Sequence, residues 1–249
     1  DRNAMSLGAI TATGLIDIAT LTGNLSLTGA ISTTDVTANA IKLNAGKTKA
    51  AGTSTGGNIL ISGGSVSTGA GGRATLYSGS IIGSTGLTAS IGSGSDKFRY
   101  NSDESVTNYT TALGTGNYAV YREQPIVNVT PGSTAIIYGD ATPAFSAAYS
   151  AYVNGDTSPG TVSGTASWTV GGTSSSAGFY TAGAHDVAYG SGLSSSLGYD
   201  FQNNAASSNE LTVNQKSLSV SGLTASNKTY DTLMTAILGG TASITALGS

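Results

Sequence analysis

Enzymatic chemistry needs groups that attack, carry protons or hold a metal, and this chain of 249 residues has few of them. His185 is its one histidine, and Cys is absent. As the base of a nucleophilic triad, His185 would need a Ser and a carboxylate converging on it. Ser is plentiful, yet no Gly-x-Ser-x-Gly elbow stands between a strand and a helix. The run His185-Asp186-Val187-Ala188 instead reads as a strand, with His185 at a solvated position. Zinc needs Cys or several His, so no zinc site is expected.

Calcium needs clustered oxygens. Gly92-Ser93-Gly94-Ser95-Asp96-Lys97-Phe98 partly matches the Gly-Gly-x-Gly-x-Asp-x-apolar calcium repeat. That repeat works by stacking copies, so that Asp of one turn meets Gly carbonyls of the next. Asp96 is therefore a metal candidate without its neighbouring copy, and no metal is expected there. Asp103 and Glu104 read as the acidic tip of a turn. Polysaccharide chemistry needs paired carboxylates on one face. Asp17 and Asp35 stand about one expected coil apart, but their sequence neighbours are Ile16, Ile18, Thr34 and Val36, with no Lys or Arg among them. They read as turn or outward strand residues. Thr11-Ala12-Thr13 and Thr20-Leu21-Thr22 resemble pieces of an ice-binding Thr ladder, but the pattern is lost downstream. Asn108, Asn128 and Asn227 begin glycosylation sequons, which arise by chance in a Ser- and Thr-rich chain. The expectation is a protein without catalytic residues or cofactor.

The elements around these residues explain that poverty. Charged residues are 9% and Gly numbers 36, a composition of small residues and short apolar runs. With 39% hydrophobic residues and a net charge of −3, the chain does not fit disorder. Four Pro and no triplet Gly period exclude collagen. Ten Lys and Arg without a basic patch argue against nucleic acid. No apolar run is long enough for a transmembrane helix, and no signal peptide is legible. Asp1 to Ile10 reads like the middle of a longer chain.

Two regions differ in grammar. Residues 1–122 carry alternating triplets such as Leu25-Ser26-Leu27, Ile41-Lys42-Leu43 and Ile59-Leu60-Ile61, with Gly between them. Alternation is the strand period. Gly56-Gly57-Asn58-Ile59-Leu60-Ile61 aligns with Gly71-Gly72-Arg73-Ala74-Thr75-Leu76. Short drifting repeats of small strands predict a right-handed β-solenoid, or β-helix, whose coils stack inward aliphatics. The competing arrangement is a Gly-rich meander of hairpins. Residues 123–214 hold Trp168 and many Tyr and Phe, as a compact β-module with a true core would need. Residues 215–249 open a further module that is too short for its own core. The fold class expected is all-β: a β-solenoid followed by small β-sandwich or β-grasp-like modules.

The second region resembles a known family. Tyr138-Gly139-Asp140-Ala141-Thr142-Pro143-Ala144-Phe145, Val153-Asn154-Gly155-Asp156-Thr157 and Gly178-Phe179-Tyr180 are similar to the MBG-type modules of filamentous-haemagglutinin-like adhesins. Asn227-Lys228-Thr229-Tyr230-Asp231-Thr232 resembles the opening of the related YDG-type module, with Thr232 where Gly is usual. Tyr118 to Pro125 resembles the junction between β-helix and modules. The resemblance implies a secreted protein of the bacterial cell surface, exported by two-partner secretion through an outer-membrane transporter. It implies adhesion or matrix building, with glycans or a host or neighbouring cell surface as partners. The alternatives are an extracellular filament subunit, self-associating through β edges by strand addition, and a polysaccharide-active enzyme using Asp17 or Asp35.

Overall fold

A computed structural model describes residues 3–235 and 237–244 of the chain. Its regular elements are strands, apart from one helix of 5 residues, so the fold is all-β.

The chain first makes repeated passes over the same three sheets. The first pass is β1 (Met5–Leu7), β2 (Ile10–Ala12) and β3 (Ile16–Thr20). The second is β4 (Leu25–Leu27), β5 (Ala30–Thr33) and β6 (Ile41–Ala45); the third is β7 (Ile59–Ile61), β8 (Ser65–Ser67) and β9 (Arg73–Ser78). Helix α1 (Leu87–Ile91) follows, then β10 (Phe98–Arg99) and β11 (Gly116–Tyr121). β1, β4 and β7 pair in parallel, as do β2, β5 and β8; the third sheet runs β3, β6, β9, β11, β10.

The register explains why these residues form these strands. Met5 faces Leu25, which faces Ile59. Ile10 faces Ile31, which faces Val66. Ile18 faces Leu43, which faces Leu76. Each pass lays its aliphatics on those of the pass before, and Leu25, Leu27, Ile31, Leu43 and Leu76 are fully buried. Burying one such side chain is worth about 2 kcal/mol, and no single pass could bury its own. The Gly56 and Gly71 repeat does not mark successive passes. It relates β7 to β9, two sides of one pass, because each corner uses the same Gly-Gly entry into a short aliphatic strand.

The outer side of the third sheet lies beneath segment 102–115. Arg73 donates to the Leu113 carbonyl, and Arg99 to those of Thr111 and Ala112. Beyond β9, Arg122 is 1% exposed and donates to the carbonyls of Ala45 (2.7 Å) and Gly57 (2.8 Å). Burial pushes the Arg122 guanidinium down to about 10.

From Ile126 on the strands are β12 (Ile126–Pro131), β13 (Thr134–Ile137), β14 (Ala147–Ser150), β15 (Val162–Gly164), β16 (Trp168–Val170) and β17 (Gly183–His185). β18 (Val187–Tyr189), β19 (Leu193–Ser195), β20 (Asp200–Asn203), β21 (Leu211–Asn214), β22 (Val220–Ala225) and β23 (Leu238–Ile244) complete the set. Two compact units share them, and they interleave in sequence. The first joins the chain up to Thr130 with 148–167 and 189–204; the second comprises 131–147, 168–188 and the chain from Ala205 on. In the first unit β12 pairs with β20 in parallel and β15 with β19 antiparallel. In the second, β21 lies between β13 and β17, around a core of Val187, Leu211 and Val213 with Ile136, Phe145 and Trp168 packed on it. β22 and β23 form an antiparallel hairpin whose described residues are all exposed.

Candidate functional site

The residues singled out for chemistry fall in separate places. His185 lies on β17 in the second unit and is buried, not solvated, with 5% of its surface exposed. Its Nδ1 is 2.9 Å from the Gly171 carbonyl and its Nε2 2.7 Å from that of Thr181. Both ring nitrogens face backbone carbonyls, and the one that carries the proton donates to its carbonyl, so neither addresses a Ser or a carboxylate. Asp186 instead accepts the Asn209 backbone N–H. The sequence pattern hid this burial because a strand triplet does not say which loop folds over it.

Asp17 and Asp35 are not brought together as a pair. Asp17, on β3, faces Lys42 on β6, with Nζ to Oδ2 at 2.9 Å. The same ammonium meets Glu104 Oε1 at 2.6 Å, and Asn44 donates to Glu104 Oε2 at 3.0 Å. Glu104 and Asp17 hold Lys42 charged, well above its ordinary range. Burial opposes ionisation of Glu104, but Lys42 and Asn44 keep its carboxyl below its usual value. Asp35 closes a turn beyond β5, accepting the Thr37 N–H at 2.7 Å, and that bond lowers it. Asp103 likewise caps a local turn through Ser105 and Val106 and fastens Ala51 at 2.8 Å. The basic partner of Asp17 was missed because it lies one pass away in the chain.

The Thr ladder is interrupted. Thr11 faces Ser32, which faces Ser67, and Thr20 is fully buried with its hydroxyl on the Gly23 carbonyl. The sequon residue Asn108 uses its amide to donate to the Asn101 carbonyl.

The Asn-Gly-Asp block does more than the sequence suggested. Asn154 and Gly155 take φ of 53° and 76°, so the chain turns back sharply with two left-handed residues. A Cβ on Gly155 would collide with Ser93 and Gly94. The Asn154 carbonyl accepts the Gly94 N–H, and its side chain accepts Thr88 Oγ1 at 2.6 Å. Behind the turn, Asp156 is 7% exposed. Its Oδ2 accepts the hydroxyls of Tyr100 (2.7 Å) and Tyr199 (2.8 Å), while its Oδ1 has no hydrogen-bond partner among the described residues. Burial raises the Asp156 carboxyl, and the two phenols only partly offset this. The rings of Tyr100 and Tyr199 pack with centroids 4.6 Å apart.

Beside this cluster, still within the first unit, lies an open pocket of about 350 Å3. Ser196 and Leu197 form its buried floor; Asp96, Thr111, Ser158 and Thr161 form its exposed walls. Asp96 has φ of 60°. Its carbonyl and that of Thr111 both accept from Arg99, which ties two walls to one guanidinium. Ser196 Oγ binds Thr111 Oγ1 and the Thr161 N–H, each at 2.9 Å, tying in the third. Among the described residues no group of three or more His, Cys, Asp or Glu is placed to hold a metal ion, at Asp96 or elsewhere. No described helix is long and apolar enough to cross a membrane. Comparison with protein-family models, with curated proteins and with solved structures gave no match to this chain.

Proposed function

We propose that this chain is a non-catalytic segment of a large secreted bacterial surface protein, in which stacked β coils form a stalk that serves adhesion or matrix building. One observation carries the reading: like residues lie on like across successive passes, as Met5, Leu25 and Ile59 do. Such a stack lengthens by repetition and presents short strands and polar corners to solvent. The coils are those of a β-solenoid, and the segments beyond them are modules of the kind found in filamentous-haemagglutinin-like adhesins. The dispersal of His185, Asp17 and Asp35 over unrelated structural contacts favours binding over turnover. Glycans or cell surfaces are the partners, and export to the cell surface is the setting.

A filament subunit is the second reading, and the exposed β22–β23 hairpin favours it, since an open strand edge can pair with another chain. Electron microscopy of the purified chain in native buffer separates the two. Single rods a few nanometres wide support the stalk. Ordered fibres that depend on residues 216–249 overturn it in favour of the filament subunit, and compact particles overturn both.

A further inference from the structure

The pocket between Asp96 and Ser196 is suited to one class of ligand. Its walls offer the hydroxyls of Ser158 and Thr161, with Thr111 Oγ1, whose proton goes to Ser196, as a further acceptor, and its one charged side chain is the Asp96 carboxylate. Among the described residues that carboxylate has no hydrogen-bond or ion-pair partner. A carboxylate accepts two neighbouring hydroxyls at once, and charge-assisted bonds of this kind are the stronger ones. Leu197, 6% exposed, is the apolar residue of the floor beside these polar groups. The nearest buried cation, Arg99, directs its donors to the carbonyls of Thr111, Asp96, Phe98 and Ala112. An anion would therefore meet the Asp96 charge with no free guanidinium to offset it. A volume of about 350 Å3 lies at the small end of ligand pockets.

The walls are also fixed before any ligand arrives. Three separate segments meet there, and they are joined through Arg99 and through Ser196. The Ser196 carbonyl accepts the backbone N–H groups of both Thr110 and Thr111 at 3.0 Å. Gly160 is required for the room, since its φ is 76° and a Cβ there would press on Ser196 and Leu197. A preformed polar pocket loses little order on binding.

We infer that this pocket binds a neutral sugar ring, with the Asp96 carboxylate accepting two of its hydroxyls and Leu197 facing its C–H surface. The inference rests on the adhesive reading and gives it a site. A single ring in an open pocket binds weakly, with a Kd near the millimolar range, about −4 kcal/mol.

The test is saturation-transfer NMR on the full chain with glucose, galactose, mannose and their N-acetyl derivatives, each at about 10 mM, well above such a Kd. At least one sugar should receive saturation and shift the amide signals of Ser196 and Leu197. Asp96→Asn should weaken it by about tenfold, and Ser158→Trp should abolish it, with Asp35→Asn unchanged and far-UV circular dichroism intact throughout. The amide shifts of the native chain serve as a readout that needs no variant. Absence of any sugar signal, retention of full binding in both variants, or a response to calcium or ammonium chloride alone overturns the inference. Rods in the microscope without sugar binding would refute the pocket and spare the stalk; sugar binding by compact particles would do the reverse.

Discussion

The Tyr100 hydroxyl donates to Asp156 Oδ2 at 2.7 Å across 56 positions of sequence, fixing the Asn-Gly-Asp turn against the segment that follows α1. Burial raises the Asp156 carboxyl above its ordinary 3.8. A carboxyl raised on folding contributes stability that is fully present below that ordinary value and is lost as pH rises through the folded one. The stability of the native chain relative to Asp156→Asn should therefore be greatest in acid and fall toward neutrality. Urea midpoints of the two proteins at about pH 3 and pH 7 check this, because titrations common to both cancel in the difference. A difference that grows toward neutral pH would contradict it.

Glu104 has the opposite sign. Its carboxyl is held below its ordinary 4.5, so it stabilises the fold above that value and the contribution is lost as pH falls through the folded one. Acidification should loosen segment 102–115 before the sheets beneath it. Protection factors of that segment, which remove the intrinsic pH dependence of exchange, should fall as pH drops below the ordinary 4.5 in the native chain, and Glu104→Gln should show low protection at neutral pH as well as in acid.

Arg122 closes the stack beyond β9 with two backbone carbonyls in reach of one guanidinium. Arg122→Met keeps the bulk and strands both acceptors, at a cost of about 3 kcal/mol. Exchange in β6 and in the corner at Gly57 should rise by about two orders of magnitude, while exchange in β13 and β21 stays unchanged. Equal loss everywhere would refute a local clamp.

Leu25 is fully buried between Met5 and Ile59, whereas Ser26 points the other way. Leu25→Ala should destabilise the first unit by about 3 kcal/mol. Ser26→Ala should change it by under about 0.5 kcal/mol. Denaturation followed by peptide-resolved exchange distinguishes them.

His185 serves the second unit as a strut between the carbonyls of Gly171 and Thr181. His185→Ala leaves the carbonyl that accepts the ring N–H without its donor and should cost about 2 kcal/mol. Trp168, packed edge-on to Phe145 at 6.1 Å, reports that unit by fluorescence. An unchanged unfolding midpoint would contradict this role for the imidazole.

These contacts also mark what could be read in the sequence. The triplet Leu25-Ser26-Leu27 announced a strand and its buried side, because alternation is a local property. The partner of that strand was not local. Gly56 and Gly71 suggested successive turns, yet β7 and β9 are sides of one pass, and the true neighbour of Ile59 is Leu25. Lys42 beside Asp17 was invisible for the same reason. Aromatic clustering after Pro125 did indicate packed cores, but Tyr199 joins Tyr100 while Trp168 joins Phe145, a partition that only the folded chain defines. The pocket at Asp96 draws on three distant segments, and its hydroxyls are too common in this chain to stand out.

The parallel register of β1 through β9 has a mechanical corollary. Hydrogen bonds between successive passes point along the direction of stacking, so tension in that direction bears on one rung at a time. Such a stack should unzip stepwise, each step releasing the slack of one pass. At the far side, Arg122 ties the end of β6 to the turn that leads into β7 and makes them yield together. Force spectroscopy would register this as a train of small, even releases ending in one larger one, the response of a shock absorber with a stop.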